Sequence, residues 1–121
     1  MDAYGHVNNA VYLNYLEECR DAWAQKVLGS VSDPWDFVLV HVAIDFRSQL
    51  TQEDGSIEVV CRLEGYGTSS IRTREEIIKT DGTLSAEAES VMVPRDPEAS
   101  TSRPLDDREK KVLDTELAAG G

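Results

Sequence analysis

Met1-Asp2-Ala3-Tyr4-Gly5-His6-Val7-Asn8-Asn9 opens the chain and runs directly into a helical pattern. Asp2 places a carboxylate three residues before Gly5, and the glycine leads to the Asn8-Asn9 pair. The first N–H groups of a helix have no intrahelical acceptor, so they can stabilise an oxyanion that develops beside them. A neighbouring carboxylate can then act as base or nucleophile at a carbonyl carbon. Asn8 or Asn9 also suits the N-cap, where its side-chain oxygen accepts from one of those free N–H groups.

Beyond the pair, Tyr12, Tyr15, Leu16, Cys19, Trp23 and Val27 recur at three- and four-residue spacing, while Asn14, Glu18, Asp21 and Gln25 fall opposite. That is the 3.6-residue period of a helix with one buried stripe. Gly29 is a suitable stop, and Asp33-Pro34 marks a loop. From about Asp36 to Arg47 the period drops to two. Val38, Val40, Val42, Ile44 and Phe46 fall on one face, with Leu39, His41, Ala43, Asp45 and Arg47 on the other. Further strands are expected over about Ser56–Leu63, Ser69–Thr80 and Leu84–Val93. They are separated by Asp54-Gly55, Gly65-Tyr66-Gly67 and Asp81-Gly82, so the last three read as an antiparallel meander. After Pro94 the chain becomes rich in Pro, Ser, Thr and acidic residues, and a partly flexible extension is expected, with a short helix over Asp106–Leu117.

These elements make one domain of 121 residues in the α+β class, with an antiparallel sheet wrapped around one long helix. The open sheet edges favour pairing with a second copy. The formal net charge of −11 argues against a nucleic-acid surface, which needs clustered Lys and Arg. Cys19 and Cys61 lack metal-ligand spacing and read as free thiols of a reducing cytoplasm. No apolar run reaches the length of a bilayer span, and no secretory signal is visible.

The run Asp2 to Asn9, followed by Tyr12, Tyr15, Glu17 and Arg20, resembles the signature of the hotdog-fold acyl-CoA thioesterases of the 4-hydroxybenzoyl-CoA thioesterase type. The likeness extends through Ile44-Asp45-Phe46, Gly67-Thr68-Ser69-Ser70 and Pro94-Arg95-Asp96, so it covers residues 1–97 as a hotdog domain and leaves 98–121 as the extension. The resemblance implies hydrolysis of an acyl-CoA or acyl-carrier thioester in the cytoplasm. The enzyme would be a homodimer or homotetramer with its pocket between protomers. It implies no cofactor, coenzyme A being part of the substrate, no metal, and neither nucleic acid nor membrane as partner. Asp2 would be nucleophile or general base. Asn9 would donate its backbone N–H to the carbonyl oxygen, and Gly5, His6, Val7 and Asn8, together with Ser69 and Ser70, would contact the substrate around it.

Each residue also has a plainer role. His6 suits a turn-fixing hydrogen bond better than proton transfer. Glu17, the reserve catalytic residue, suits an ion pair with Arg20. Ser69 and Ser70 fit the pocket wall and a plain turn equally well. Arg72 and Arg74 read as a solvated strand face rather than a phosphate site. Members of the family carry a strand just before the aspartate, whereas only Met1 precedes Asp2 here. The expectation is therefore an N-terminal strand absent from the fold, with activity weakened because Asp2 is held less firmly; errors of about 1 Å can cost on the order of a hundredfold. The alternative is a hotdog protein that binds acyl thioesters with little or no turnover.

Overall fold

The computed structural model describes residues 9–48, 50 and 55–121. Its elements are helix α1 (Asn9–Leu28), a 3₁₀ turn (Pro34–Asp36), strands β1 (Phe37–Phe46), β2 (Ile57–Tyr66), β3 (Ile71–Lys79), β4 (Leu84–Asp96) and β5 (Thr101–Ser102), and helix α2 (Asp107–Ala118). The main sheet has the antiparallel order β1-β4-β3-β2, with β5 pairing the end of β4. The sequential β2-β3-β4 part is the meander that the turn dipeptides specify, and β1 joins it on the far side of β4. At the β3–β4 turn, Gly82 takes φ +88°, and the Asp81 carboxylate accepts from the Thr83 N–H at 2.8 Å.

Helix α1 lies on one sheet face, mainly against β2 and β3. It stops where Gln25 O comes too close for a side chain: a Cβ on Gly29 would sit 2.3 Å from that oxygen. Two apolar clusters join helix to sheet. Near the start of α1, Tyr12 and Leu16 pack with Leu50, Ile77, Ala86 and Ala88. Near its end, Trp23, Val27 and Leu28 pack with Leu63, Ile71 and Met92.

Strand β1 departs from strict alternation. Leu39 pairs with Met92 and His41 with Val91, so Val40 is an extra residue with no partner in the register. The bulge turns Phe37 and Leu39 to the helix-bearing face, which Val42, Ile44 and Phe46 share, and it takes Val38 off the face expected from a period of two. On the opposite sheet face, charges pair across strands. Glu87 accepts from Arg47 at 2.9 Å and from Arg74 at 2.6 Å, and Arg62 meets Glu76 at 3.0 Å.

The residues after Pro94 pack back onto the domain. Leu105 and Leu113 are buried in the cluster at the end of α1. Asp106 caps α2 in a reciprocal capping box with Glu109. Glu109 is fully buried and also accepts from Arg103 through both oxygens, at 2.8 and 2.9 Å, and from Ser32 Oγ at 2.5 Å. This clasp ties α2 to the loop that follows α1.

Candidate functional site

Because α1 favours β2 and β3, the inner face of β1 is only half covered, and a groove of about 560 Å³ runs between α1 and β1. Its apolar wall comes from Leu13, Leu16 and Ala24 on α1 and from Phe37, Leu39 and Val42 on β1, with Met92 of β4 between them. Leu39 reaches this wall through the Val40 bulge. Trp35 of the 3₁₀ turn stands at the end of the groove, 90% exposed. Such exposure of an indole, in a groove also lined by the part-exposed Leu13, Leu39 and Val42, marks a surface suited to apolar contact. Glu17 and Asp21, both exposed, put carboxylates along the helix side.

A polar layer separates the two apolar clusters under α1. Arg20 Nη1 donates to Glu75 Oε1 and to Ser90 Oγ, both at 3.3 Å. Glu75 also accepts from Thr73 Oγ1 and from Ser90 Oγ, both at 3.1 Å. Glu75, Thr73 and Ser90 are fully buried, and Arg20 is nearly so while still lining the groove. Burial pushes the Glu75 carboxyl up, opposed first by the Arg20 charge and then by the hydroxyl hydrogen bonds. Burial and then Glu75 likewise raise the Cys19 and Cys61 thiols, which are free but poor nucleophiles in this setting.

At the other end, the Tyr12 hydroxyl anchors the start of α1. It accepts from the Leu50 N–H at 2.7 Å and lies 3.3 Å from Ser85 Oγ. Ser85 Oγ in turn donates to Ser48 O at 2.6 Å. The Tyr12 ring meets Phe46 edge-to-face at 5.1 Å.

Asp2, Gly5, His6, Val7 and Asn8 lie outside the described residues, as does the side chain of Asn9, the first residue of α1. Glu17 lines the groove from α1. Arg20, grouped with Glu17 by helix spacing, instead turns to the sheet and pairs with Glu75. Ser69 and Ser70 sit in the β2–β3 connection, where Gly67 N–H bonds Ser70 O at 2.8 Å and Leu105 N–H bonds Thr68 O at 2.9 Å. That connection leads into Ile71, in the cluster at the end of α1. Within the chain, the two serines therefore lie apart from the start of the helix. Glu75, Thr73 and Ser90 were missed by sequence reasoning. Their one signal is the row Ile71, Thr73, Glu75, Ile77, in which a charge occupies an otherwise helix-facing strand position.

Among the described residues, no group of three or more His, Cys, Asp or Glu side chains is placed to hold a metal ion. No helix among them is long and apolar enough to cross a membrane.

Several solved structures share this architecture. A thioesterase from Thermus thermophilus, crystallised with coenzyme A and Zn, superposes with a TM-score of 0.82 at 25% identity, over 98% of this chain and 86% of that one. YbaW, a probable thioesterase from Escherichia coli, gives 0.77 at 26% identity, over 97% and 90%. SAV2348 from Staphylococcus aureus, solved in complex with CoA, shares the fold with a TM-score of 0.79 at 15% identity, over 98% and 75%. A search of curated proteins finds no match. The sequence model of the thioesterase-like superfamily matches residues 1–115, nearly the whole domain and its opening segment included. With the helix-on-sheet architecture and the groove beside α1, that match makes the chain a member of the thioesterase-like superfamily.

Proposed function

We propose that the protein hydrolyses acyl-CoA thioesters, water and thioester giving a carboxylic acid and free coenzyme A. The observation that carries this reading is the superfamily match over residues 1–115, which takes in both the Asp2–Asn9 segment and the helix that lines the groove. Asp2 acts as general base for water or as nucleophile at the thioester carbonyl. The backbone N–H of Asn9, at the first turn of α1, receives the developing oxyanion. A thiolate is a good leaving group near neutral pH, so a carboxylate and an oxyanion pocket suffice without a triad. The acyl chain lies in the groove between α1 and β1.

In the proposed working form a second copy pairs along the β1 edge. Antiparallel pairing of β1 with its twin would set the end of one protomer's groove beside the start of the other's. That arrangement would bring the partner's β2–β3 connection, with its Ser69 and Ser70 equivalents, toward the start of α1. It would also cover the half-exposed Leu39, Val42 and Phe46.

A panel of acyl-CoA esters assayed with a thiol-detecting reagent tests the mechanism. Asp2→Asn is expected to lower kcat by about 10²- to 10⁴-fold with little change in KM. Hydrolysis unaffected by that substitution would refute the role of Asp2. Binding of acyl-CoA by wild-type protein without turnover would instead establish a carrier or scaffold.

A further inference from the structure

The apolar groove wall is interrupted by polar side chains of α1: Glu17, Asp21 and Gln25 along the helix, and Arg20, which reaches it from beneath. A guanidinium presents five N–H donors in a fixed fork. Among the described residues, the hydrogen bonds of Arg20 leave from Nη1 alone, toward Glu75 and Ser90. The only buried side-chain nitrogen or oxygen without a partner among those residues is Trp23 Nε1, so the remaining Arg20 donors are not stranded in the core. Nη1 is turned to the sheet, and the same side chain lines the groove. Glu75 balances the guanidinium charge, while Glu17 and Asp21 add negative charge on the same helix face. An anionic group there would meet two carboxylates. A hydroxyl there could accept from the guanidinium and donate to a carboxylate, and a keto oxygen could accept from the guanidinium.

We propose that Arg20 selects acyl groups that carry an uncharged hydrogen-bond acceptor, a hydroxyl or keto oxygen, at the far end of a medium-length chain. The proposal rests on the thioesterase reading, which sets the carbonyl at the start of α1. Arg20 lies eleven residues along α1 from Asn9, about 16 Å at the helical rise. At roughly 1.5 Å per bond, shortened by the zigzag, a chain of about a dozen carbons spans that distance.

The test compares dodecanoyl-CoA, ω-hydroxydodecanoyl-CoA and dodecanedioyl-CoA as substrates. Their non-hydrolysable thioether counterparts, S-dodecyl-CoA and S-(ω-hydroxydodecyl)-CoA, serve as ligands, with binding read by tryptophan fluorescence. Wild-type protein should favour the hydroxylated chain over the plain one by at least about tenfold, in kcat/KM and in Kd alike. The dicarboxylic chain should be the poorest substrate and should improve in Asp21→Asn. The double variant Arg20→Met/Glu75→Gln leaves no unpaired buried charge and should lose the preference for the hydroxyl while keeping its thermal unfolding transition. Should it fail to fold, Arg20→Lys keeps a cation for Glu75 but loses the fork, and the preference should fall severalfold. Equal handling of the two chains by wild-type protein would overturn the proposal, as would a preference that survives in a folded Arg20 variant. Tighter binding of the hydroxylated thioether with no hydrolysis of any ester would uphold the role of Arg20 and refute the hydrolase reading.

Discussion

Trp23 and Glu109 are both buried, yet their polar atoms are treated in opposite ways. Trp23 Nε1 is sealed in the apolar cluster without an acceptor among the described residues, and an unmet buried donor costs about 1–3 kcal/mol. Trp23→Phe removes the donor and keeps most of the ring, so denaturant unfolding should place it within about 1 kcal/mol of wild type, whereas Trp23→Ala should lose about 3–5 kcal/mol. Glu109 is satisfied from several sides. Burial by itself would raise its carboxyl, but hydrogen bonds from Arg103, Ser32 and the Asp106 N–H outweigh burial and bring the pKa down to about 2. A carboxylate whose folded pKa lies below its unfolded value of about 4.3 stabilises the fold fully above that value. The stabilisation is lost as pH falls from about 4.3 toward 2. Wild-type protein should therefore lose on the order of 2 kcal/mol across that interval through Glu109 alone. Glu109→Gln should be less stable at pH 7 and show a flatter acid limb when unfolding is followed against pH. Glu75 slopes the other way, its folded pKa being raised, so its contribution is present at low pH and declines as pH rises through the folded value.

At the scale of elements, the sequence is most legible where local chemistry decides. The period of α1, the Asp81-Gly82 turn and the capping residues of α2 announce themselves because each depends on neighbours within a few positions. Strand β1 is different. Its residues alternate well enough for a period of two to be read throughout, but its inner face is decided by the register against β4, and the Val40 bulge resets that face partway along. No residue in Phe37–Phe46 signals the bulge, since neither glycine nor proline occurs there. Helix α2 shows the same division. Its capping pattern is visible in Asp106 and Glu109, but the Arg103 and Ser32 contacts that dock it join residues 6 and 77 positions from Glu109 in the chain. Composition alone makes this stretch look like a solvated tail; its Leu105 and Leu113 belong to the core.

For the molecule as a whole, the opening motif identifies the family, because an acid, a glycine and an Asn pair before a helix form a local pattern. The groove and the polar layer beneath α1 carry no such local mark. They arise because β1 sits beyond β4 in the sheet, at the margin of the helix, and because Arg20 finds its partner on β3, 55 residues away. The layer has a further consequence for assembly of the domain. Apolar clusters on either side of it would tolerate a helix shifted by one turn, about 5.4 Å, since one aliphatic contact replaces another. Arg20 would not: displaced by a turn, it would face Ile77 or Thr73 and leave Glu75 as an unpaired buried charge, at a cost of about 3–5 kcal/mol. The pair thus acts as a detent between α1 and the sheet. A domain with Arg20→Met and Glu75→Leu should unfold at equal or higher denaturant, yet show broadened amide resonances along α1 as the helix samples neighbouring seats; sharp single resonances would show that side-chain shape alone fixes its position. The start of α1, where the proposed mechanism has the oxyanion received, would drift with it, so the notch that holds the helix would also set where along the sheet the proposed reaction takes place.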